Sequence, residues 1–293
     1  MRILITGAAG QVGTELVARA GDQAIGVDRT QLDISDEAAV LRLLQTHKPA
    51  IVINAAAYTA VDKAEQEPER AYAVNRDGAR HLAMACSAIG IPLLHISTDY
   101  VFDGSKSTPY LETDPTSPAG IYARSKCEGD EQIRAHLPEH LILRVSWVFG
   151  IQGNNFAKTI LRLAGERSEL RIIADQHGCP TEAGAIADTL LDLAQRFIRD
   201  NALPWGTYHY TGAPETTWHG FAKEIVDQAL ALGMISKAPL VHAITTAEYP
   251  LPAPRPANSL LDGTQAEQVL GLVRQDWRQG LQHVLQNLKS KNA

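Results

Sequence analysis

Up to Val145 the chain alternates between two hydrophobic rhythms. Short unbroken apolar runs at 2–6, 24–28, 50–54, 91–97 and 141–145 are bounded by turn residues, and that length suits strands covered on both faces of a parallel sheet. Between them lie stretches of helical period. The stretch 11–20 follows a glycine turn. The next helix is expected to be capped by the Ser35 hydroxyl, with Asp36 and Glu37 in its first turn at the positive dipole end. Residues 67–89 read as one long helix that stops at Gly90, a residue free to turn left-handed, and Pro92 opens the following strand. Strand–helix–strand order over the first ~150 residues predicts a doubly wound α/β sheet.

Beyond residue 150 the pattern loosens. Helical segments are expected at 155–165, 182–199, 218–232 and 277–289, with strand-like pieces at 170–174 and 207–210. In YPLPAPRPANS, prolines at 250, 252, 254 and 256 exclude helix and impose an extended loop. The expected division is a dinucleotide-binding domain over 1–148 plus roughly 183–213, and a smaller α/β substrate-binding domain over 149–182 plus 214–293. No internal repeat or low-complexity segment interrupts it.

Composition narrows the function classes. The 293 residues suit one large or two intimate domains, and 45% hydrophobic with 20% charged residues is ordinary for a globular protein. A net charge of −6 lacks the basic footprint that phosphate-backbone binding requires, so nucleic acid is not an expected partner. The first apolar run, Ile3 to Ile5, is too short for a signal-peptide core or a membrane span. The expected location is the cytoplasm. Cys86, Cys127 and Cys179 are odd in number and widely spaced, which fits thiols in a reducing compartment. The ten histidines and three cysteines show no zinc-ligand spacing.

The first candidate site is TGAAGQVG, residues 6–13, placed between a strand and a helix. Gly7, Gly10 and Gly13 allow a tight turn, close approach of a pyrophosphate to the backbone around Gln11 and Val12, and close helix–strand packing. Asp28, at the end of the second strand, stands where an acidic residue accepts hydrogen bonds from an adenine ribose 2′-hydroxyl. The adjacent Arg29 can instead face a 2′-phosphate. NADH is therefore favoured and NADPH stays open. Asp33 and Ile34 either hold and pack the adenine or form only the turn into the next helix.

The second candidate site gathers at the carboxyl end of the fourth strand, where open α/β sheets bind ligands. HISTDYVFDG delivers Ser97, Thr98 and Asp99 there, and YARSK then sets Tyr122 and Lys126 one helical turn apart. A free tyrosine ionises near ~10, so acid–base work near neutrality calls for a cation to lower it, and Lys126 is positioned to supply one. The lysine can also hold nicotinamide ribose hydroxyls.

Together TGAAGQVG, NAAAYT (54–59), STDY (97–100) and YARSK resemble the extended short-chain dehydrogenase/reductases, which have a Rossmann-type fold. Within them AAAYTAVDKAEQEPE, STDYVFDG, RVSWVFG, GNNFAKT, CPT and RPANSLL resemble the dTDP-4-dehydrorhamnose reductase family, over residues 2 to about 277. That resemblance implies reduction of the C4 ketone of dTDP-6-deoxy-L-lyxo-4-hexulose, a step that supplies rhamnose for cell-surface polysaccharide such as lipopolysaccharide O-antigen. It implies Tyr122 as proton donor, Lys126 as its tuning partner and ribose clasp, and Thr98 as hydrogen-bond donor to the reacting oxygen. It places Ala57, Tyr58 and Thr59 against the cofactor, and Asp99 and Trp147 against the sugar, although Trp147 also reads as plain core. Arg255 either binds the nucleotide pyrophosphate or caps the proline-rich loop.

Members of the family can form magnesium-bridged homodimers through acidic side chains. Here Glu15 is present, but Gly184 stands where such members carry glutamate, Glu182 lies two places earlier, and the tail QNLKSKNA has no carboxylate side chain. A hard cation needs several oxygens, so metal linkage is expected to be weak or absent, leaving a homodimer possible without it. Two rival functions use the same parts: a nucleotide-sugar 4-epimerase, and a non-catalytic dinucleotide-binding regulatory subunit. A sugar dehydratase would have glutamate where Tyr100 follows Asp99.

Overall fold

The computed structural model describes residues 2–292; Met1 and Ala293, the last residue of the acid-free tail, lie outside it. Six parallel strands make the main sheet: β1 (Ile3–Thr6), β2 (Ala24–Val27), β3 (Ile51–Asn54), β4 (Leu93–Thr98), β5 (His140–Val145) and β10 (Gly206–His209). Their order is β10-β5-β4-β3-β1-β2. From β1 the chain steps outward to β2 and then returns to the other side as β3, so the order reverses between β1 and β3. The carboxyl edge at such a reversal is where a crevice opens.

Alternation along the strands assigns the two cores. Ile3, Ile5, Ile51 and Ile53 face Leu16 of α1 (Gln11–Ala20) and Ile186 and Leu190 of α8 (Ala183–Asp200). Leu4, Val52 and Ile142 face Leu44 of α2 (Glu37–His47), Leu82 of α5 (Gly78–Ile89) and Ile133 of α6 (Ile121–His136). Both faces are covered, which is why the strands read as continuous apolar runs. Truncating one of these fully buried leucines or isoleucines to alanine costs about 2–5 kcal/mol.

A third core holds Phe149, Phe221, Trp277 and Leu281. It lies among α7 (Phe156–Glu166), α9 (Trp218–Ala231), α11 (Trp277–Asn292) and the parallel pair β7 (Glu169–Ile173) and β12 (Leu240–Ile244). Short pairs stitch this part together: β6 (Val148–Phe149) with β9 (Thr181–Glu182), and β8 (His177–Gly178) with β11 (Thr216–Thr217). The helix α10 (Thr264–Leu270) returns to the main sheet, burying Ala266 and Leu270 in its first core. The segment 249–259 contains no helix. All three cysteines are buried and free. Among the described residues no helix is long and apolar enough to cross a membrane.

Two local expectations are corrected. Asp36, not Ser35, caps α2: its carboxylate accepts the Ala39 N–H at 2.9 Å, while the Ser35 hydroxyl donates back to Asp33. The stretch 67–89 is not one helix. It begins as α4 (Pro68–Tyr72), just after the short α3 (Val61–Ala64), widens into a π turn over Ala73–Asp77, and resumes as α5 up to Gly90 at φ 68°. The wider turn delivers Asn75 inward, where its Oδ1 accepts the Tyr58 N–H at 2.8 Å and its Nδ2 donates to Ser125 at 3.0 Å. Such a bulge re-aims a side chain at the cost of regular pairing. The strand β12 was not anticipated, because only Ile244 at its end is buried and the rest carries no strong apolar pattern.

Candidate active site at the carboxyl edge of the sheet

Thr6, Asn54 and Thr98 end β1, β3 and β4 along one edge. Between β1 and α1 the chain turns through Gly7 at φ 69°, where a Cβ would come within 2.5 Å of the Ala56 nitrogen. At Gly13 a Cβ would lie 2.0 Å from the Gly7 carbonyl oxygen, so helix and turn touch backbone to backbone. Gly10 caps α1 without a side chain, and no acid stands in the first turn. The opening N–H groups and the positive dipole end are thus left for an anion. The residues present fit a dinucleotide pyrophosphate.

Beside this cradle a cavity of about 210 Å³ is lined by Gly7, Asp28, Arg29, Asp33, Ile34 and Tyr58, among others. Asp28 Oδ1 accepts from the Thr30 N–H and hydroxyl at 2.8 and 2.6 Å, and Asp33 Oδ1 accepts the same pair from Ser35. Those bonds hold both carboxyls below their ordinary range. Asp33 therefore does form the turn into α2, and it also faces the cavity. Arg29 is exposed and only 4.0 Å from Asp33, a loose pair.

A larger cavity of about 730 Å³ continues from the cradle. Its lining includes Gly10, Gln11, Val12, Ala57 and Thr59 together with Thr98, Asp99, Tyr122, Lys126 and Trp147. Gln11 is fixed by Asn155, whose Nδ2 donates to its side-chain oxygen at 2.9 Å. Thr98 donates to Asp99 Oδ1 at 3.0 Å, while Asp99 Oδ2 is buried without a hydrogen-bond partner. Burial pushes the Asp99 carboxyl up to about 6. Tyr122 sets its ring edge-on to Tyr100, centroids 5.5 Å apart.

The expected lowering of the Tyr122 phenol by Lys126 does not occur. Surrounding protein pushes that phenol up to about 12, against the opposing influence of the Thr98 hydroxyl. Lys126 runs inward from α6 instead: its amine lies 2.8 Å from the Ile96 carbonyl oxygen and 3.0 Å from His95 Nε2. Burial brings the amine down to about 8. Sharing a helix face fixed where the two side chains start, not where they end.

Trp147 is more than core. Held at φ 48°, it stacks on Trp218 at 3.6 Å between centroids, with Phe156 against the far ring, and all three line the cavity. Gly178 permits this, since a Cβ there would fall 2.3 Å from the Trp147 indole. Arg255 is engaged in the proline-rich loop: it donates to Asp62 Oδ2 and to the Ala253 carbonyl, both at 2.8 Å. The sequence reading missed Trp218, Asn75 and His95. His95 alone left a signal, as a polar residue inside a strand covered on both faces. A lone tryptophan after a helix cap says nothing of a distant ring.

The acidic cluster around Glu15 does not fit a divalent cation. Arg19 pairs with Glu15 at 3.2 Å and Asp188 at 3.0 Å, and its guanidinium lies 2.5 Å from where a Cβ on Gly184 would stand. Glu182 accepts from His283 at 2.8 Å. A protein cation already answers these carboxylates.

Comparison with known proteins agrees with this geometry. The family described as the RmlD substrate binding domain matches residues 1–290. A dTDP-4-dehydrorhamnose reductase of Aggregatibacter actinomycetemcomitans is 45% identical over 97% of this chain and 98% of its own. The crystal structure of a dTDP-4-dehydrorhamnose reductase from Clostridium acetobutylicum superposes with a TM-score of 0.90 at 36% identity, over 99% of this chain and 100% of that one. One from Bacillus anthracis, solved in complex with NADP, gives 0.89 at 33% identity over 98% and 99%. With full-length matches at these identities, the chain belongs to the RmlD family, that of the dTDP-4-dehydrorhamnose reductases.

Proposed function

We propose that the protein reduces the C4 ketone of dTDP-6-deoxy-L-lyxo-4-hexulose to give dTDP-L-rhamnose, using NADH or NADPH. One observation carries the reading: residues of the phosphate cradle and the Thr98–Tyr122–Lys126 constellation line a single cavity. A reduced nicotinamide dinucleotide held there supplies the hydride. Tyr122, protonated throughout the neutral range, gives the ketone oxygen its proton, and Thr98 turns its hydroxyl from Asp99 to that same oxygen. Asp99 and the face of Trp147 hold the sugar. Gly7, Gly10, Gln11, Val12 and Gly13 hold the pyrophosphate, Asp28 the adenine ribose, and Asp33, Ile34, Ala57, Tyr58 and Thr59 the remaining dinucleotide surface.

Arg29 is free to swing to a 2′-phosphate, so both dinucleotides are accommodated. Arg255 reaches a substrate pyrophosphate only by exchanging Asp62 for it. In domain terms, 1–148 with 183–213 forms the dinucleotide-binding unit and 149–182 with 214–293 the nucleotide-sugar unit, each with its own core among those described. Arg19 already pairs with Glu15 and Asp188, so these carboxylates are poor ligands for a bridging magnesium, and any homodimer forms without it.

The test follows nicotinamide absorbance with the dTDP-4-keto-6-deoxy sugar, comparing NADH with NADPH and each with EDTA. Stoichiometric loss of the reduced form is expected. An epimerase returns its hydride and shows no net loss, and a regulatory subunit shows no turnover at all; either result rejects the reductase reading.

A further inference from the structure

Lys126 ends a buried chain of hydrogen bonds whose direction can be read from its far end. The Ala56 N–H can only donate, and it meets the carboxamide of Asn54 at 3.0 Å. The atom it meets is therefore the oxygen, which also accepts from the Thr6 hydroxyl at 2.6 Å. That leaves the Asn54 nitrogen 2.9 Å from His95 Nδ1. An amide nitrogen only donates, so Nδ1 must offer its lone pair, and a neutral imidazole then carries its hydrogen on Nε2. Nε2 faces the Lys126 nitrogen at 3.0 Å. An ammonium has no lone pair with which to receive that hydrogen.

We infer that His95 is a positioning residue that favours the neutral amine of Lys126 in the dinucleotide-free protein, donating from Nε2–H to the lysine nitrogen while the amine donates to the Ile96 carbonyl. The opposite arrangement, an ammonium donating to Nε2, puts the Nδ1 hydrogen against the Asn54 amide nitrogen. Around the pair stand Asp130 and Tyr122 on α6, Asp99 at the end of β4, and His140 and Arg144 on β5. Asp130 Oδ1 lies 3.8 Å from His95 Nε2 without a hydrogen-bond partner of its own and favours the ammonium, while Oδ2 accepts from Ser97 at 2.8 Å and lies 3.6 Å from Arg144. Burial opposes the charged form of His95 as it does that of Lys126.

The functional meaning rests on the reductase reading, in which Lys126 works beside Tyr122; the protonation state does not. In that reading the lysine takes up a proton to become the working ammonium, and His95 must release its hold for this to happen. Asn54 thereby acts at a distance on the amine. Replacing its nitrogen by oxygen, Asn54→Asp, keeps the acceptor for Ala56 and Thr6 but asks His95 for a hydrogen on Nδ1, freeing Nε2 to accept from an ammonium.

Long-range ¹H–¹⁵N correlation of the dinucleotide-free protein reads the His95 tautomer, and the ¹³Cε shift of Lys126 reads its titration. Wild type should show Nε2–H and a lysine midpoint well below that of free lysine. Asn54→Asp should switch the tautomer to Nδ1–H and raise the lysine proton affinity at least about tenfold, with the basic limb of kcat moving upward in step. Nδ1–H in the wild type overturns the inference, as does a folded Asn54→Asp protein in which neither signal moves. If the variant does not fold, the wild-type tautomer still decides. Lack of turnover rejects the reductase reading and leaves the tautomer result standing.

Discussion

Asp99→Asn should gain stability relative to wild type as pH rises from acid to neutral, while impairing the chemistry. The carboxyl is 3% exposed, one oxygen receives the Thr98 hydroxyl, and the other has no hydrogen-bond partner. Its pKa stands at about 6 against an ordinary value of 3.8, with burial the largest cause. Ionising it inside the fold therefore costs about 3 kcal/mol more than ionising it in the unfolded chain. Between pH 4 and 6 the folded state binds more protons than the unfolded one, so this residue lowers stability as pH rises through that window. The penalty is absent below it and complete above it. Asparagine does not titrate. Its amide brings an offset of its own at the unpartnered corner, but that offset is the same at every pH. The gap between variant and wild type should thus move by about 2.5 kcal/mol in the variant's favour from pH 4 to pH 7.5. Urea unfolding of both proteins across that range measures it. A gap that stays level refutes burial as the source of the shift. In the proposed function the variant also loses affinity for the sugar, read as a raised KM.

Tyr122→Phe should cost about 10²–10⁴ in kcat while leaving dinucleotide affinity, measured by fluorescence titration, nearly unchanged; undiminished turnover removes the residue from the reaction. Asp28→Ala should weaken NADH more than NADPH, because only the former presents a free 2′-hydroxyl, and equal losses in paired titrations would make Asp28 purely structural. Gly13→Ala puts a methyl 2.0 Å from the Gly7 carbonyl oxygen, against backbone atoms that have no flexible side chain to yield. It should cost about 1–3 kcal/mol and most of the dinucleotide affinity, checked by melting and titration together. Chelation with EDTA should change neither turnover nor sedimentation, since Arg19 already balances Glu15 and Asp188.

What the sequence made legible was whatever depends on neighbours along the chain. Strands β1 to β5 announced themselves because burial on both faces demands unbroken apolar runs, and the turn at Gly7 because its backbone conformation demands glycine. The π turn at Ala73–Asp77 was hidden, since its cause lies 17 residues back at Tyr58 and 50 residues on at Ser125. The same blindness applied to Lys126. Its spacing from Tyr122 was right, but its direction was decided by His95 and Ile96 on β4, which the helical period does not encode. Asp36 took the cap from Ser35 because Ser35 was already engaged by Asp33, a competition between two adjacent turns that propensity treats as one.

The perturbed groups of the cleft share a cause. The Tyr122 phenol, the Asp99 carboxyl and the Lys126 amine are each moved toward the uncharged form, and burial is the largest contribution in all three. The cavity these groups line is also lined by Trp147, Trp218 and Phe156, which offer no charge. A neutral ketone enters such a cleft at little electrostatic cost. In the proposed function, negative charge growing on its oxygen meets the Tyr122 hydroxyl and, once turned from Asp99, that of Thr98, in surroundings that screen them weakly. The same burial disfavours the ammonium beside His95 and leaves Asp99 half satisfied, so stability has been surrendered where the chemistry would gain most. If that aromatic wall is what keeps the cleft dry, a polar substitution at Trp218 should return all three groups toward their ordinary values together, and a shift confined to one of them would place the cause in its own neighbours instead.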